Sequence, residues 1–370
     1  MICAIAAALG VHVSRPVWQT VLMKWSTERL CTICAVLLIG FGLLVSSERS
    51  TAQGEPGFDA YLLTLRSQAE ARGISRQTLD SVFPTLTYYP RVIELDRAQP
   101  GSTANAPIPD FAPYRIRHVD NARITQGRRV YLAQRAQLSR IERETGVPES
   151  IMVAIWGHET SYSQVTGSFD LPRALATLAF EGRRRELFAG EFLATLEMID
   201  RGVPRERLKG SWAGATGNPQ FLPSVYLRLA RDGDGDGKAD IWSSEPDTLA
   251  SIANYFVNAG WRAGEPWGLA VSLPSGFNRE NVTNRSVSPR CSRVFDRHSG
   301  WKSMAEWRSL GVLPQDKTWP DDRIQATLLE PDGPGRTAYL LTGNYRVILD
   351  YNCSNFYALS VGLLADAVEQ

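Results

Sequence analysis

The sequence predicts an α+β protein that is mainly α-helical. Between residues 127 and 260 it carries apolar residues at helical spacing, with a glycine near the end of each stretch. From about residue 265 to 350 the pattern changes to short alternating or apolar runs, which are typical of strands. We therefore expect a helical core followed by a small β-containing part.

Local patterns along the chain predict the individual helices and strands. Residues 58–83 have helical periodicity, whereas residues 99–113 are rich in proline and alanine and are predicted to be extended. Further helices are predicted at 127–145, from Pro148 onwards, near 184–200, at 248–259 and after the capping residue Ser354. Strands are predicted at 267–273, 324–330, 337–342 and 345–350, with residues 331–335 as a hairpin connection.

Length, composition and charge exclude several classes of protein. The chain has 370 residues, of which 44% are hydrophobic, so a disordered or fibrous protein is excluded. Its formal net charge is +1, which argues against a partner held by long-range charge. We therefore expect no binding of nucleic acid.

The N-terminal residues 1–52 have the pattern of a secretion signal. An apolar run at 31–45 follows basic residues and precedes small ones. The run is shorter than the roughly 20 residues of a membrane-spanning helix, although an uncleaved anchor is the alternative interpretation. No cysteine follows it directly, which disfavours a lipoprotein. The sequence thus predicts a periplasmic or exported protein, in which Cys291 and Cys353 are candidates for one disulfide.

Glu159 is the most informative carboxylate of the helical part. On a helix it lies three residues after Trp156 and four after Ile155, at the end of an apolar stripe. Burial raises the pKa of a carboxylic acid, as a group that protonates a glycosidic oxygen requires. The alternative interpretation is a structural glutamate whose side chain is hydrogen-bonded to backbone near the end of the helix. The adjacent His158 does not complete a zinc motif, because Tyr162 stands where the second histidine is needed.

Two polar segments have the composition of a sugar-binding cleft. Residues 210–226 form a loop punctuated by glycine, alanine and proline. Its neutral donors and aromatic rings suit the hydroxyls and the C–H faces of a sugar. Near the C-terminus, Tyr351 and Asn352 lie between a predicted strand and a predicted helix. The alternative for residues 210–226 is a tight structural loop, and the alternative for the segment near the C-terminus is a capped turn.

Residues 232–247 contain an aspartate-rich loop of the calcium-binding type. Its aspartates and Gly237 match ligand and turn positions of an EF-hand loop. Ser243 stands at the last ligand position, so Glu245 or Asp247 would have to complete the shell. A solvated acidic turn is the alternative. A single loop of this kind favours a structural ion over a sensor.

Together these segments resemble the lytic murein transglycosylase B family, whose members have a lysozyme-like fold. The resemblance rests on WGHETSY at 156–162, GSWAGATGNPQFLPSVY at 210–226, ASIANYF at 250–256 and YNCSNFYALSVGLLAD at 351–366. The aspartate-rich loop lies in order between the second and third of these motifs. Such a resemblance implies a lysozyme-like helical catalytic core, with residues 53–370 as the catalytic domain.

The resemblance implies a peptidoglycan lytic transglycosylase with Glu159 as its single general acid/base. Glu159 would protonate the oxygen of the β-1,4 bond between N-acetylmuramic acid and N-acetylglucosamine, and would then deprotonate the muramic 6-hydroxyl. That hydroxyl would close a 1,6-anhydro ring, with the substrate's acetamido group replacing a second enzyme carboxylate. A hydrolytic muramidase and a non-enzymatic, calcium-stabilised wall-binding protein are the competing hypotheses.

The same motifs imply further site residues. Glycan-binding or cleft-lining residues would be Tyr114, Ser211, Gln220, Tyr255, Tyr351, Asn352 and Tyr357. Ligands of a structural calcium ion would be Asp232, Asp234, Asp236, Asp247 and the backbone carbonyl of Lys238. The chain departs from the family pattern at His158, where a small apolar residue is usual, and at Ser163, where a glycine is usual. The expected partner is the peptidoglycan glycan strand, bound by a monomer without an organic cofactor and without stable membrane insertion.

Overall fold

The computed structural model describes residues 55–99 and 109–370 of the chain. The secretion signal predicted at 1–52 lies outside the described residues. Within the described residues, no helix has the length and apolar character needed to cross a membrane. The fold is α+β and mainly α-helical, which confirms the predicted class.

Helices make up most of the described chain. In chain order they are α1 (Phe58–Ala71), α2 (Arg76–Val82), α3 (Pro90–Arg97), α4 (Phe111–His118), α5 (Asn121–Ala133), α6 (Arg135–Thr145), α7 (Glu149–Thr160), α8 (Leu171–Glu181), α9 (Arg185–Asp200), α10 (Pro223–Leu229), α11 (Glu245–Asn258), α12 (Ser292–Phe295), α13 (Met304–Ser309), α14 (Gly343–Tyr351) and α15 (Asn355–Glu369). The strands are β1 (Phe169–Asp170), β2 (Lys209–Gly210), β3 (Gly268–Ser272), β4 (Lys302–Ser303), β5 (Leu313–Pro314), β6 (Gln325–Leu329) and β7 (Ala338–Leu341).

Side-chain caps fix the ends of several helices. The side chains of Ser75, Asp120, Asp170, Ser244 and Ser354 accept a hydrogen bond from the first turn of α2, α5, α8, α11 and α15, respectively. Gly146 ends α6 in the left-handed conformation, with a φ of 70°. The capping role predicted for Ser354 and the helix end predicted at Gly146 are therefore confirmed.

Two predictions about the helical part are corrected by the structure. The single helix predicted at 127–145 is divided into α5 and α6, because Gln134 has non-helical dihedral angles (φ −99°, ψ 13°). The stretch 99–113, predicted to be extended, ends inside α4, which begins at the buried Phe111. Pro113 is tolerated there because it lies in the first turn, where a backbone N–H has no partner within the helix.

Helix α7 is the centre of the larger hydrophobic cluster. Its residues 151–156 are at most 2% exposed, so this part of the helix is apolar and buried on all sides. Such a surface is typical of a helix enclosed by others. Helices α5, α6, α11 and α15 pack around it. The end of α7, where Glu159 lies, is therefore positioned by the core of the protein.

A second hydrophobic cluster joins the N-terminal helices to α8 and α9. It contains Phe58, Leu65 and Phe192, all nearly inaccessible to solvent. Tyr226 and Trp242 pack against both clusters. The segment after the loop at 210–221 thereby ties the two helical groups together.

The larger sheet is antiparallel and has the strand order β4–β6–β7–β3–β5. The hairpin predicted at 331–335 is confirmed, since β6 pairs with β7 and Leu328 lies opposite Leu340. One face of the sheet covers a third cluster that includes Trp307 and Leu269. This sheet forms the β-containing part.

The strand predicted at 345–350 is wrong, because these residues belong to α14. Thr342 caps this helix by accepting a hydrogen bond from the Asn344 N–H. The Asn344 side chain in turn donates to the carbonyls of Arg262 and Glu265, which fixes the helix start. A short apolar run fits a buried helix as well as a strand, so its periodicity could not decide between them.

Covalent and polar links hold the β-containing part against the last helix. The Cys291–Cys353 disulfide, with a Cα–Cα distance of 5.6 Å, joins the two. The ring of His298 is buried between them. Its Nε2 lies 2.9 Å from Asn355 Oδ1, and its Nδ1 lies 2.8 Å from Thr327 Oγ1. These links join the β-containing part to the start of α15.

Candidate active site

Glu159 lies in the last turn of α7, and its half-buried carboxyl group contacts α15. The Tyr357 hydroxyl donates a hydrogen bond to Glu159 Oε1 at 2.6 Å. Tyr357, predicted among the glycan-binding or cleft-lining residues, is fully buried, and its N–H donates to the capping side chain of Ser354. The carboxyl group is thus oriented by a donor whose own position is fixed.

The chain after α7 runs through three consecutive left-handed residues. Ser161, Tyr162 and Ser163 have φ values of 49°, 57° and 70°. Each such non-glycine residue costs about 1–2 kcal/mol. Tyr162 is buried against Gly127 and Gly157, where an added Cβ would lie within 2.4 Å of its hydroxyl oxygen. The two glycines therefore make room for the ring whose burial stabilises the turn.

Arg123 of α5 holds the end of α7. Its Nε donates to Gly157 O at 3.2 Å, and its Nη2 donates to Ser161 Oγ at 3.4 Å. The same guanidinium is paired with Asp120 at 2.6 Å. A cation beside the last carbonyls of a helix is favourable. Arg123 was not predicted as a site residue, because no local pattern shows that α5 contacts α7.

The loop at 210–221 has a tightly folded first half. Gly210 approaches Ala215 so closely that an added Cβ would lie 1.9 Å from the Ala215 carbonyl oxygen. The Ser211 N–H donates to that oxygen at 2.8 Å, and Ser211 Oγ accepts from the Ala215 N–H at 3.0 Å. The half-buried Ser211 side chain is therefore held by the turn on which it lies.

The second half of this loop contacts the end of α7. Thr160 Oγ1 donates to Asn218 O at 3.2 Å, so the loop lies beside the residue that follows Glu159. Gln220 adopts a left-handed conformation with a φ of 51°. Its Nε2 donates to backbone carbonyls, including Thr166 O at 3.1 Å. The structure thus brings the predicted loop and the predicted carboxylate together.

A row of tyrosines leads from α15 to α11. The Tyr351 ring lies 6.5 Å from that of Tyr357 and 4.6 Å from that of Tyr255. Tyr351 donates to Pro219 O, which links the row to the loop at 210–221. Tyr255 donates to Asp350 O at 2.8 Å, and burial raises the pKa of Tyr255 to about 12. Tyr255 is therefore uncharged at neutral pH.

Asn352 carries a hydrogen-bond donor that the described part of the protein leaves unused. The residue is 3% exposed, and its buried Nδ2 has no hydrogen-bond partner among the described residues. Leaving a buried polar group in this state costs about 1–3 kcal/mol. Asn352 directly follows Tyr351 of the tyrosine row, so the residue with this unused donor adjoins the row.

Two histidines connect Tyr114 of α4 to the end of α7. Its ring stacks on His118 at 3.9 Å, and the ring of His118 stacks on that of His158 at 5.0 Å. His158 precedes Glu159 on α7. The sequence marked His158 only as a departure from a family pattern, and His118 belongs to no motif.

The aspartate-rich loop brings three carboxylates together. Carboxylate oxygens of Asp232, Asp234 and Asp247 lie within 4.8 Å of one another. Asp247 is buried, and this burial raises its pKa even though the N–H groups of Gly233 and Asp240 donate to it. A cation among the three would remove their mutual repulsion, and oxygen ligands suit calcium.

The remaining predicted ligands lie around this group of three. Asp236 accepts a hydrogen bond from the Lys238 N–H at 2.8 Å, and its carboxylate is not part of the group. Glu245, the alternative to Asp247 in the sequence, accepts instead from Gln134. Of the two alternatives, Asp247 therefore lies in the group of three carboxylates and Glu245 does not.

Comparisons with known proteins agree with this fold and site. Residues 57–366 match the transglycosylase SLT domain family. Membrane-bound lytic murein transglycosylase B of Escherichia coli (strain K12) is 32% identical over 308 residues, which cover 80% of this chain and 79% of that protein. SltB3 of Pseudomonas aeruginosa in complex with NAG-anhNAM-pentapeptide has a TM-score of 0.76 and 38% identity, covering 85% of this chain and 80% of that one. The Escherichia coli lytic transglycosylase Slt35 in complex with calcium has a TM-score of 0.65 and 29% identity, covering 85% of this chain and 93% of that one.

The mainly helical fold, with a glutamate at the end of its central helix, is that of the lysozyme-like enzymes that cleave murein. The chain belongs to the transglycosylase SLT domain family and is a peptidoglycan lytic transglycosylase. The resemblance drawn from the sequence motifs is thereby confirmed.

Proposed function

We propose that the enzyme cleaves the β-1,4 bond between N-acetylmuramic acid and N-acetylglucosamine and leaves 1,6-anhydromuramic acid ends, with Glu159 as its only general acid/base. The observation that carries the proposal is the hydrogen bond from Tyr357, which orients one carboxyl group at the end of a rigid helix. The complex of the Pseudomonas relative with NAG-anhNAM-pentapeptide supports an anhydro product.

In the proposed mechanism, protonated Glu159 gives its proton to the glycosidic oxygen as the bond to the muramic anomeric carbon breaks. The carboxylate then takes the proton of the muramic 6-hydroxyl, whose oxygen attacks that carbon and closes the anhydro ring. One carboxyl group suffices, because the proton that it gives in the first step is replaced in the second. Tyr357 stabilises the intermediate carboxylate by donating to Oε1.

Neutral polar and aromatic groups would hold the glycan. The Asn352 Nδ2 is a donor without a partner among the described residues, and a sugar hydroxyl or acetamido oxygen would complete its hydrogen bonding. Ser211 and Gln220 lie on the loop beside α7, and the half-buried Tyr255 offers a ring face for sugar C–H groups. Neutral groups of this kind suit an uncharged polysaccharide backbone.

Digestion of purified sacculi, followed by mass spectrometry of the fragments, tests the proposal. We expect fragments with 1,6-anhydromuramic ends, whose mass is lower than that of reducing ends by the mass of water. Reducing muramic ends would instead show that the enzyme is a hydrolytic muramidase. Undigested glycan would support the non-enzymatic wall-binding alternative.

We further propose that the enzyme acts outside the cytoplasm, in the periplasm or as an exported protein. The wall that it would cleave lies there, and the Cys291–Cys353 disulfide is stable in an oxidising compartment. The similar Escherichia coli protein is membrane-bound. The secretion signal predicted at 1–52 would provide the route.

We also propose that Asp232, Asp234 and Asp247 bind a structural calcium ion, with Asp236 and the Lys238 carbonyl completing its shell. Three convergent carboxylates are the observation that supports this site, and the calcium complex of Slt35 agrees with it. Asp247 belongs to α11, whereas the other ligands belong to the preceding loop. A bound ion would therefore hold the loop against the helix.

Calcium is expected to raise the melting temperature of the wild-type protein, and Asp247→Asn is expected to remove most of this increase. An ion that binds only the folded state contributes about 2.7 kcal/mol at a 100-fold excess over its Kd, which amounts to several degrees. Thermal unfolding with calcium and with EDTA measures the effect. Glu245→Gln, on the same helix but outside the group, is the control and should retain the increase. Equal calcium-dependent increases in wild type and Asp247→Asn would contradict the site.

A further inference from the structure

Aromatic rings form a continuous stack from α4 to the carboxyl group of Glu159. The rings of Tyr114 and His118 lie 3.9 Å apart with an interplanar angle of 17°, and those of His118 and His158 lie 5.0 Å apart at 12°. The ring of His158 then meets that of Tyr357 edge to face at 4.4 Å. The Tyr357 hydroxyl is the group that donates to Glu159.

The hydrogen bonds around His158 are those of a neutral imidazole in one orientation. The Ser360 hydroxyl donates its only proton to a backbone carbonyl. Both Phe356 O and Tyr357 O lie 2.9 Å from its oxygen. The Ser360 oxygen then accepts from His158 Nε2–H at 2.9 Å. His158 Nδ1 is buried without a hydrogen-bond partner among the described residues, which fits an unprotonated nitrogen.

The surroundings of the stack disfavour a proton on either histidine. The titratable and charged groups that face it are Tyr114, Arg117 and His118 from α4, the capping residue Asp120 and Arg123 of α5, Glu159 from α7 and Tyr357 from α15. Burial is the main cause of the lowered pKa of His118. Burial also holds the pKa of His158 well below its ordinary value. His118 and Arg123 lower the pKa of His158 further. The ring can therefore act as an uncharged spacer.

We propose that His158 is a positioning residue, which holds the Tyr357 ring where its hydroxyl orients Glu159. The inference rests on the proposed role of Glu159 as the acid/base. A small side chain at position 158 would leave a gap between His118 and Tyr357, and the ring could then move. Proton transfer is sensitive to displacements well below 1 Å in the groups that hold the acid.

Steady-state kinetics on soluble glycan oligomers with peptide stems test this role. His158→Ala removes the ring, and we expect kcat to fall about tenfold while KM changes less than about twofold. Tyr357→Phe removes the hydroxyl itself and is the reference variant. The double variant should lose no more activity than Tyr357→Phe alone, because both changes act through one hydrogen bond. His298→Gln, which alters a buried histidine of the β-containing part, is the matched control and should retain kcat.

The pH profile separates positioning from a general loss of packing. Donation by Tyr357 stabilises the ionised form of the Glu159 carboxyl group. Loss of this hydrogen bond should therefore shift the basic limb of the pH profile of kcat to higher pH. We expect this shift in both His158→Ala and Tyr357→Phe, but not in His298→Gln. The proposal would be overturned if His158→Ala left this limb unmoved, or if its loss of activity added in full to that of Tyr357→Phe.

A measurement without turnover distinguishes this inference from the proposed function. The ¹³Cζ resonance of Tyr357, assigned with Tyr357→Phe, reports the hydrogen bond of its hydroxyl. We expect the resonance to move in His158→Ala and in Glu159→Gln, and to stay unchanged in His298→Gln. An unmoved resonance in His158→Ala rejects the positioning role, whatever the products from sacculi are. A moved resonance in an enzyme that forms no anhydro ends supports the positioning of Tyr357 and rejects only the proposed reaction.

Discussion

Glu159→Gln is expected to lower the rate of fragment release from sacculi by about 10³-fold or more. General acid–base catalysis contributes about 10²–10⁴-fold, and the upper part of this range applies because one carboxyl group is proposed to act in both steps. Glutamine retains the shape of the side chain and can still accept the hydrogen bond from Tyr357. It can neither give nor take the proton, so the substitution separates chemistry from structure.

Initial rates of fragment release measure this effect, and thermal unfolding verifies that the variant is folded. Glu149→Gln is the matched control, because Glu149 lies on the same helix, is buried and pairs with Arg135 at 2.6 Å. We expect this control to lower the melting temperature and to retain activity. A similar loss of activity in both variants would attribute the effect to the stability of α7. Retention of more than about a tenth of the wild-type rate by Glu159→Gln would refute its role as the only acid/base.

The parts of the site that the sequence predicts are those that local patterns determine. The apolar stripe of α7 places Glu159 at the end of a buried helix, and the capping role of Ser354 can be recognised from its position. The hydrogen bond from Tyr357 joins residues separated by 198 positions, so no local pattern contains it. Predicting this bond requires knowing which face of α15 packs against α7, and that depends on the whole helical core.

The errors in the fold prediction have a similar physical cause. The apolar part of residues 345–350 is short, with Val347, Ile348 and Leu349 buried between the half-buried Arg346 and Asp350, and so few positions do not distinguish a helix from a strand. The sequence predicts longer helices such as α9 and α11 correctly because several turns repeat the same spacing of apolar residues. The choice between Glu245 and Asp247 also depended on tertiary structure, since the backbone turn decides which carboxylate meets Asp232.

The site combines features that destabilise the folded protein with a core that compensates for them. Three left-handed residues follow α7, and the Asn352 amide is buried with an unused donor. Both features lie next to the groups proposed to act on the glycan, where strain and unpaired donors persist when the surroundings fix them. The buried α7, the tyrosine row and the disulfide provide that support.

The free energy of unfolding is expected to decrease as the pH is lowered from about 6.5 to about 4.5. The histidines of the described part, His118, His158 and His298, all have a lowered pKa, and burial is the main cause in each case. The unfolded chain takes up protons at these positions near pH 6.5, whereas the folded protein does so only at lower pH. Because the unfolded state binds more protons in this window, acid favours unfolding, and above the window the contribution vanishes.

His298 illustrates the size of this decrease in the free energy of unfolding. Burial lowers its pKa to about 4, and the difference from the unfolded value corresponds to about 3 kcal/mol by pH 4. Its hydrogen bonds fit the neutral ring, since Nε2–H can donate to Asn355 Oδ1 while Nδ1 accepts from Thr327 Oγ1. His158 and His118 add to the loss in the same direction.

Urea unfolding at constant ionic strength, from about pH 7.5 to about pH 4.5, measures the decrease. His298→Gln can retain a donor to Asn355 but cannot be protonated, so its free energy of unfolding should fall less steeply with acid. Calcium is kept in excess so that Asp247 does not titrate. Burial raises the pKa of Asp247, so its protonation would increase the free energy of unfolding as the pH falls, opposite to the effect of the histidines. A free energy that stays constant over this range would mean that the folded protein accepts protons on these rings without cost. The neutral imidazole on which the positioning by His158 depends would then lose its physical basis.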